Sequence, residues 1–177
     1  MNCSRHCHSR NISIRCYDVS DDLMTVEGSL KDDRLYNTDN EESVEYRDKD
    51  TIHHILVKMD VSIPQLTILA ISAELSAIPN EACRGAKNCV NKLIGLQIKH
   101  GFTDAVRNLL ANSEGCAHIM NLILSMGSAA VQGAWSALSR RTERGKMPSI
   151  DEAIMINSCW LWREDGPLAK KMKHNSK

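Results

Sequence analysis

Residues 115–139 read GCAHIMNLILSMGSAAVQGAWSALS, a run with no Asp, Glu, Lys or Arg between Glu114 and Arg140. As an α-helix it would extend about 37 Å at ~1.5 Å per residue. Apolar residues fall on almost every side of that helix, the pattern of an element buried all round. Gly127, Ala130, Gly133 and Ala134 are small enough to let neighbouring elements approach closely. The same run is the only stretch long enough for a membrane span. Its His118, Asn121, Ser125, Ser128, Gln132 and Ser136 would be costly in hydrocarbon, so the reading is a central helix and no membrane partner.

The chain before it is written in the period of strands. Asn11–Tyr17 alternates, with Ile12, Ile14 and Cys16 on one side and Ser13 and Arg15 on the other; Leu23–Leu30 follows the turn-like VSDD and completes a hairpin. Thr51–Val61 carries His53, Ile55, Val57, Met59 and Val61 on one face, and Gln65–Leu75 returns after SIPQ. Between the two pairs, KDDRLYNTDNEESVEYRDKD (31–50) is dense in charge and poor in apolar residues, and is expected to be an exposed loop.

After Pro79-Asn80 the period becomes helical. Cys83, Ala86, Val90 and Ile94 recur through 80–94, Thr103 can cap a helix bearing Val106, Leu109 and Leu110, and Asn112 or Ser113 can cap the central one. RRTERGKMP is a charged loop, Ser149 can cap a short helix DEAIMI, and 163–177 is a tail. Strands first and helices after give an α+β class: an antiparallel meander sheet of about four strands, covered on one face by three or four helices. The expectation is a single domain over 1–177, frayed at 1–10.

Lys+Arg and Asp+Glu number 22 each, and Phe102 is the only phenylalanine, so neither a basic footprint nor a base-stacking platform points to nucleic acid. No N-terminal stretch has the basic and apolar regions of a signal peptide. Seven cysteines, without disulfide-scaffold spacing, fit a reducing, cytoplasmic setting.

Chemistry-bearing residues are few. Cys116 lies in the first turn of the central helix, where backbone N–H groups and the helix dipole favour thiolate. His118 is two positions on and would converge with it only across an irregular turn, which Gly115 permits. Cys83 sits at another helix start, whereas Cys89, on the other side of that helix, reads as packing. His53 and His54 open a strand and must face opposite ways unless a bulge intervenes. Cys159, Trp160 and Arg163 in NSCWLWREDGP read as a hydrophobic anchor or as substrate and lid contacts. The opening Cys3, His6, Cys7 and His8 is rich in donors but has no second pair at finger-like distance. Phosphate-binding loops, G-x-S-x-G, H-E-x-x-H and C-x-x-C are absent.

Taken together, SRNISIRCYDVSDDLMTVEGSLKDD, IHHILVKM, IPNEACRGAKNCVNKLIGLQIKHGFTDAV, GCAHIMNLIL and NSCWLWREDGP resemble a bacterial family known only as domain of unknown function 2889. In order of elements the chain is also similar to iron–sulfur scaffold proteins of the NifU and IscU type. That likeness places ligands at His53 or His54, Cys83 and Cys116, with histidine at the scaffold's first cysteine position and Gly115 where the scaffold has histidine. The resulting expectation is a mononuclear zinc or iron site of mixed donors: Cys83, Cys116, His53 or His54, and His118. Two other classes stand beside it. One is a small-molecule catabolic enzyme using Cys116 or His118 as nucleophile or acid/base. The other is a non-catalytic homo-oligomer that uses the small-residue helix and the C-terminal tryptophans.

Overall fold

A computed structural model of the chain describes residues 7–34, 50–144 and 146–175. Four strands, β1 (His8–Asp18), β2 (Leu23–Arg34), β3 (Asp50–Ser62) and β4 (Ile68–Ala77), form one antiparallel sheet in the order β1-β2-β3-β4. Met24, Val26 and Leu30 of β2 pair with Val61, Met59 and Ile55 of β3, and all six are buried, while Glu27 and Lys58 pair on the opposite face and are exposed. This is the meander that the alternation predicts, with one face turned to the core.

The helices are α1 (Phe102–Leu110), α2 (Ala117–Arg141), α3 (Glu152–Met155) and α4 (Pro167–Asn175), with 3-10 segments at Glu81–Leu93, Asn112–Glu114 and Trp160–Trp162. The class is α+β. α2 lies over β1, β2 and β3, and the Glu81–Leu93 segment lies over β4. The helix nests tightly because small residues stand where it meets the sheet. A Cβ on Gly133 would come 2.7 Å from Cys16 Cβ, and one on Gly28 of β2 would come 2.6 Å from Met126 Sδ. At the other end Arg141 donates to the carbonyls of Asp21 and Ser20, at 2.8 and 2.7 Å, and pairs with Asp18, tying α2 to the β1–β2 turn.

Several local expectations change. α2 is buried along one broad face (Ile119, Leu122, Ile123, Met126, Ala130, Ala134 and Ala137), whereas Ser128 and Gln132 are exposed, so burial is not all round. Its missing charges therefore do not follow from burial alone. α2 is capped by Cys116 rather than by Asn112 or Ser113, which form their own short turn pinned by Lys92 to Glu114 (2.6 Å). Gly101, in the left-handed region at φ 87, precedes α1, and Asp151 rather than Ser149 caps α3 through Ala153 N at 2.9 Å. Helix 80–94 is present as a 3-10 segment with Asn80 as its cap.

The sheet is also longer than its apolar residues suggest. His8, Ser9 and Arg10, within the expected frayed end, pair with Arg34, Asp33 and Asp32, at the start of the expected loop. Asp32 and Asp33 are 1% and 0% exposed. The remainder of 1–10, including Cys3 and His6, and most of 31–50 lie outside the described residues. Among the described residues no helix is long and apolar enough to cross a membrane.

Candidate metal centre

On the core face of the sheet, the parity that carries Met24, Val26, Gly28 and Leu30 continues to Asp32. The register sets Arg10 of β1 and His53 of β3 on either side of it. Arg10, Asp32 and His53 thus form one row across three strands. The ladder slips between Asp32 and Asp33: His53 faces Asp32 and Thr51 faces Asp33, leaving Ile52 as the extra residue of a bulge. Thr51 Oγ1 donates to Asp33 Oδ1 at 2.8 Å. The first turn of α2 arrives above the row and brings His118.

Asp32 is the hub. Arg10 Nε and Nη2 donate to its two oxygens, each at 2.7 Å. His53 Nδ1 lies 3.2 Å and His118 Nε2 3.5 Å from Oδ2, and His8 Nε2 lies 3.7 Å from Oδ1. The Arg10 hydrogen bonds, then its charge and those of the imidazoles, outweigh burial and hold the Asp32 carboxyl below the usual carboxylate range. The His53 and His118 rings stack with centroids 3.8 Å apart. Burial, and next the neighbouring His53, push the His118 imidazole below its ordinary value, toward the neutral form that offers a lone pair. His53 Nδ1 is buried and makes no hydrogen bond despite its nearness to Asp32. One donor atom from each of Asp32, His53 and His118 lies within 4.8 Å of the other two.

The expected donors divide. His53 and His118 come together. His54 faces the other side of the sheet, with Nε2 3.4 Å from Ser29 Oγ. Cys116 Sγ lies 3.7 Å from His118 Nδ1, the ring nitrogen opposite the one beside Asp32, so thiol and carboxylate flank one imidazole instead of sharing a centre. Cys83 stands in the first turn of the Glu81–Leu93 segment and joins no cluster of three donors among the described residues. Cys89 is buried, and loss of solvation raises its thiol pKa, as befits packing. Cys7 is exposed. Cys159 and Trp160 are exposed, with the Arg163 guanidinium 4.5 Å over the Trp160 ring. Trp162 is buried edge-on against Trp135 at 5.4 Å, an intramolecular anchor.

Sequence reasoning missed Asp32 and Arg10, the first placed in a loop and the second in a frayed end. The signal was available: extending the even-numbered row of β2 one step past Leu30 lands on an acid, and the hairpin register puts Arg10 beside it. For His53 and His54 the expectation is that at most one reaches an inner site unless a bulge intervenes; a bulge is present at Ile52, and His53 lies beside Asp32 while His54 lies beside Ser29.

The model of a family described as a protein of unknown function (DUF2889) matches residues 8–132, which include Asp32, His53, Cys116 and His118. No curated protein matches the chain, and no solved structure does. With most of its length under that match, the chain belongs to the DUF2889 family.

Proposed function

We propose that Asp32, His53 and His118 bind a divalent transition-metal ion, zinc or iron. The observation that carries this is the convergence of three donors around a buried histidine nitrogen that has no hydrogen bond. The spacing supports it. Ligands about 2.0–2.1 Å from a tetrahedral ion stand roughly 3.4 Å apart, and both nitrogens lie 3.2 and 3.5 Å from Asp32 Oδ2. Two imidazoles and one carboxylate suit zinc or non-haem iron and leave room in the coordination sphere for water or substrate. Arg10 does not close the site, because an ionised carboxylate has about four lone-pair sites and Arg10 uses two of them.

The test is zinc and iron(II) titration of chelator-stripped protein, with elemental analysis of protein purified without a tag. The wild type should bind one equivalent. His53→Asn, His118→Asn and Asp32→Asn should each lose more than the ~10–100-fold that removal of a second-shell group costs. Absence of binding, or wild-type affinity in His53→Asn, refutes the reading.

A second reading rests on the contact of Cys116 Sγ with His118 Nδ1. Cys116 caps the N-terminus of a 25-residue helix and makes no side-chain capping bond. In this reading the thiol passes its proton to His118, which Asp32 orients, and the thiolate adds to a carbonyl carbon whose C=O π bond opens to an alkoxide that takes the proton back from His118. Alkylation by iodoacetamide separates the two readings. Fast modification of Cys116, unchanged by zinc or chelator and slowed in His118→Asn, favours the nucleophile; protection by zinc favours the metal.

A further inference from the structure

Away from the Asp32 row, the exposed side of α2 borders an open cavity of about 750 Å³, lined also by α1, α3 and the segment that follows α3. Its volume falls in the ~300–1,000 Å³ range of small-molecule pockets. Ser125, which borders it, follows His118 by roughly 10 Å along α2 at ~1.5 Å per residue, and none of Asp32, His53 and His118 lines it.

The cavity accounts for part of the oddity of α2. Exposed positions on a helix ordinarily carry Lys or Glu, but where α2 borders the cavity they are Ser128 and Gln132, with half-buried Ser125 beside them. The two serine hydroxyls donate back to the helix, to Asn121 O at 3.1 Å and Ser125 O at 2.9 Å, so their oxygens remain as acceptors on the floor. Apolar walls rise from Phe102, Ile98 and Ile154. The Phe102 ring is seated over Gly127, where a Cβ would come within 2.5 Å of it, so the wall is held in place.

Nitrogen donors gather at one end. Lys99 and His100 border the cavity, are exposed, and pair with no acid among the described residues. Beside them α1 begins without a side-chain cap, its first free N–H groups being those of Thr103 and Asp104. Asp104, the one acid among the residues that line the cavity, has Arg107 at 3.9 Å.

We propose that this cavity binds a small organic acid, its apolar body against Phe102, Ile98 and Ile154 and its carboxylate at Lys99, His100 and the start of α1. The proposal is independent of the metal reading.

Calorimetric titration of the full chain with anilinonaphthalene sulfonate, an apolar body bearing one anionic group, tests it. One saturable site is expected, displaced by octanoate and not by octylamine. Ser128→Trp, at an exposed position, should weaken binding at least tenfold by filling the cavity, and Lys99→Glu should weaken it about tenfold while circular dichroism and zinc binding stay as in the wild type. Absence of saturable binding, equal competition by octylamine, or wild-type affinity in Ser128→Trp overturns the proposal. Absence of zinc binding in the wild type, with this site intact, would count against the metal reading alone.

Discussion

Replacing Arg10 with Ala tests how the buried carboxylate is held. Asp32 is 1% exposed, and Arg10 supplies its two shortest hydrogen bonds, both 2.7 Å. Breaking a fully buried ion pair costs about 3–5 kcal/mol. Arg10 is itself 36% exposed, so screening by water and the three nearby imidazoles bring the expected cost down to roughly 2 kcal/mol. At an m value of about 2 kcal/mol/M this lowers the urea midpoint by about 1 M. The measurement is urea unfolding of metal-free Arg10→Ala, repeated with zinc. An ion at about 100 times its Kd stabilises the folded state by ~2.7 kcal/mol, and Asp32 without Arg10 is less contested, so zinc should narrow the gap between variant and wild type. Asp32→Asn should gain nothing from zinc. An unchanged midpoint in Arg10→Ala, or a gap that zinc leaves as it was, would refute this account of the hub.

Two further outcomes can be measured. In chelator-treated protein His118 is held below 6.5, chiefly by burial, so the unfolded chain takes up the proton first as pH falls. Its contribution to stability should therefore be complete above about 6.5 and be lost as the pH drops through that value toward the folded pKa. Thermal melts from pH 8 to 5 should show this decline in the wild type and a flatter curve in His118→Gln; equal slopes would contradict it. Gly133→Val would press side-chain carbon on Cys16 Cβ and Met24 Sδ, 2.7 and 2.9 Å from the first added atom. An overpacking cost of about 1–3 kcal/mol is expected, and a urea midpoint equal to that of the wild type would show that α2 does not need this approach.

The fold was legible where burial imposed a period. β2 and β3 alternate because one face meets the core, and Val26, Leu30, Val57 and Met59 record that directly. α2 was found from its lack of charge, though that lack was assigned to all-round burial when part of it belongs to a cavity floor. The candidate site was half legible. Cys116 and His118 stood out because they open the long helix, and His53 because it shares the parity of Ile55. Asp32 did not, since a carboxylate inside a charged run looks solvated until the register sets it beside Arg10. Distances between chain segments also decide what spacing cannot: Cys83 and Cys116 both begin helical segments, yet among the described residues only Cys116 of the two is brought beside an imidazole.

The unpaired Ile52 makes chain length, rather than residue identity, the sensitive variable at this end of the sheet. Many substitutions at Ile52 would leave the neighbouring pairs facing one another, because what the site uses from that position is a unit of backbone. Loss of the residue would restore an uninterrupted ladder and give Asp32 and Asp33 the strict alternation of an ordinary strand. The end of β3 thus works as a spacer, and a gene with one codon fewer there would keep every donor and the Asp32–His53 pair while losing the offset that sets Thr51 against Asp33.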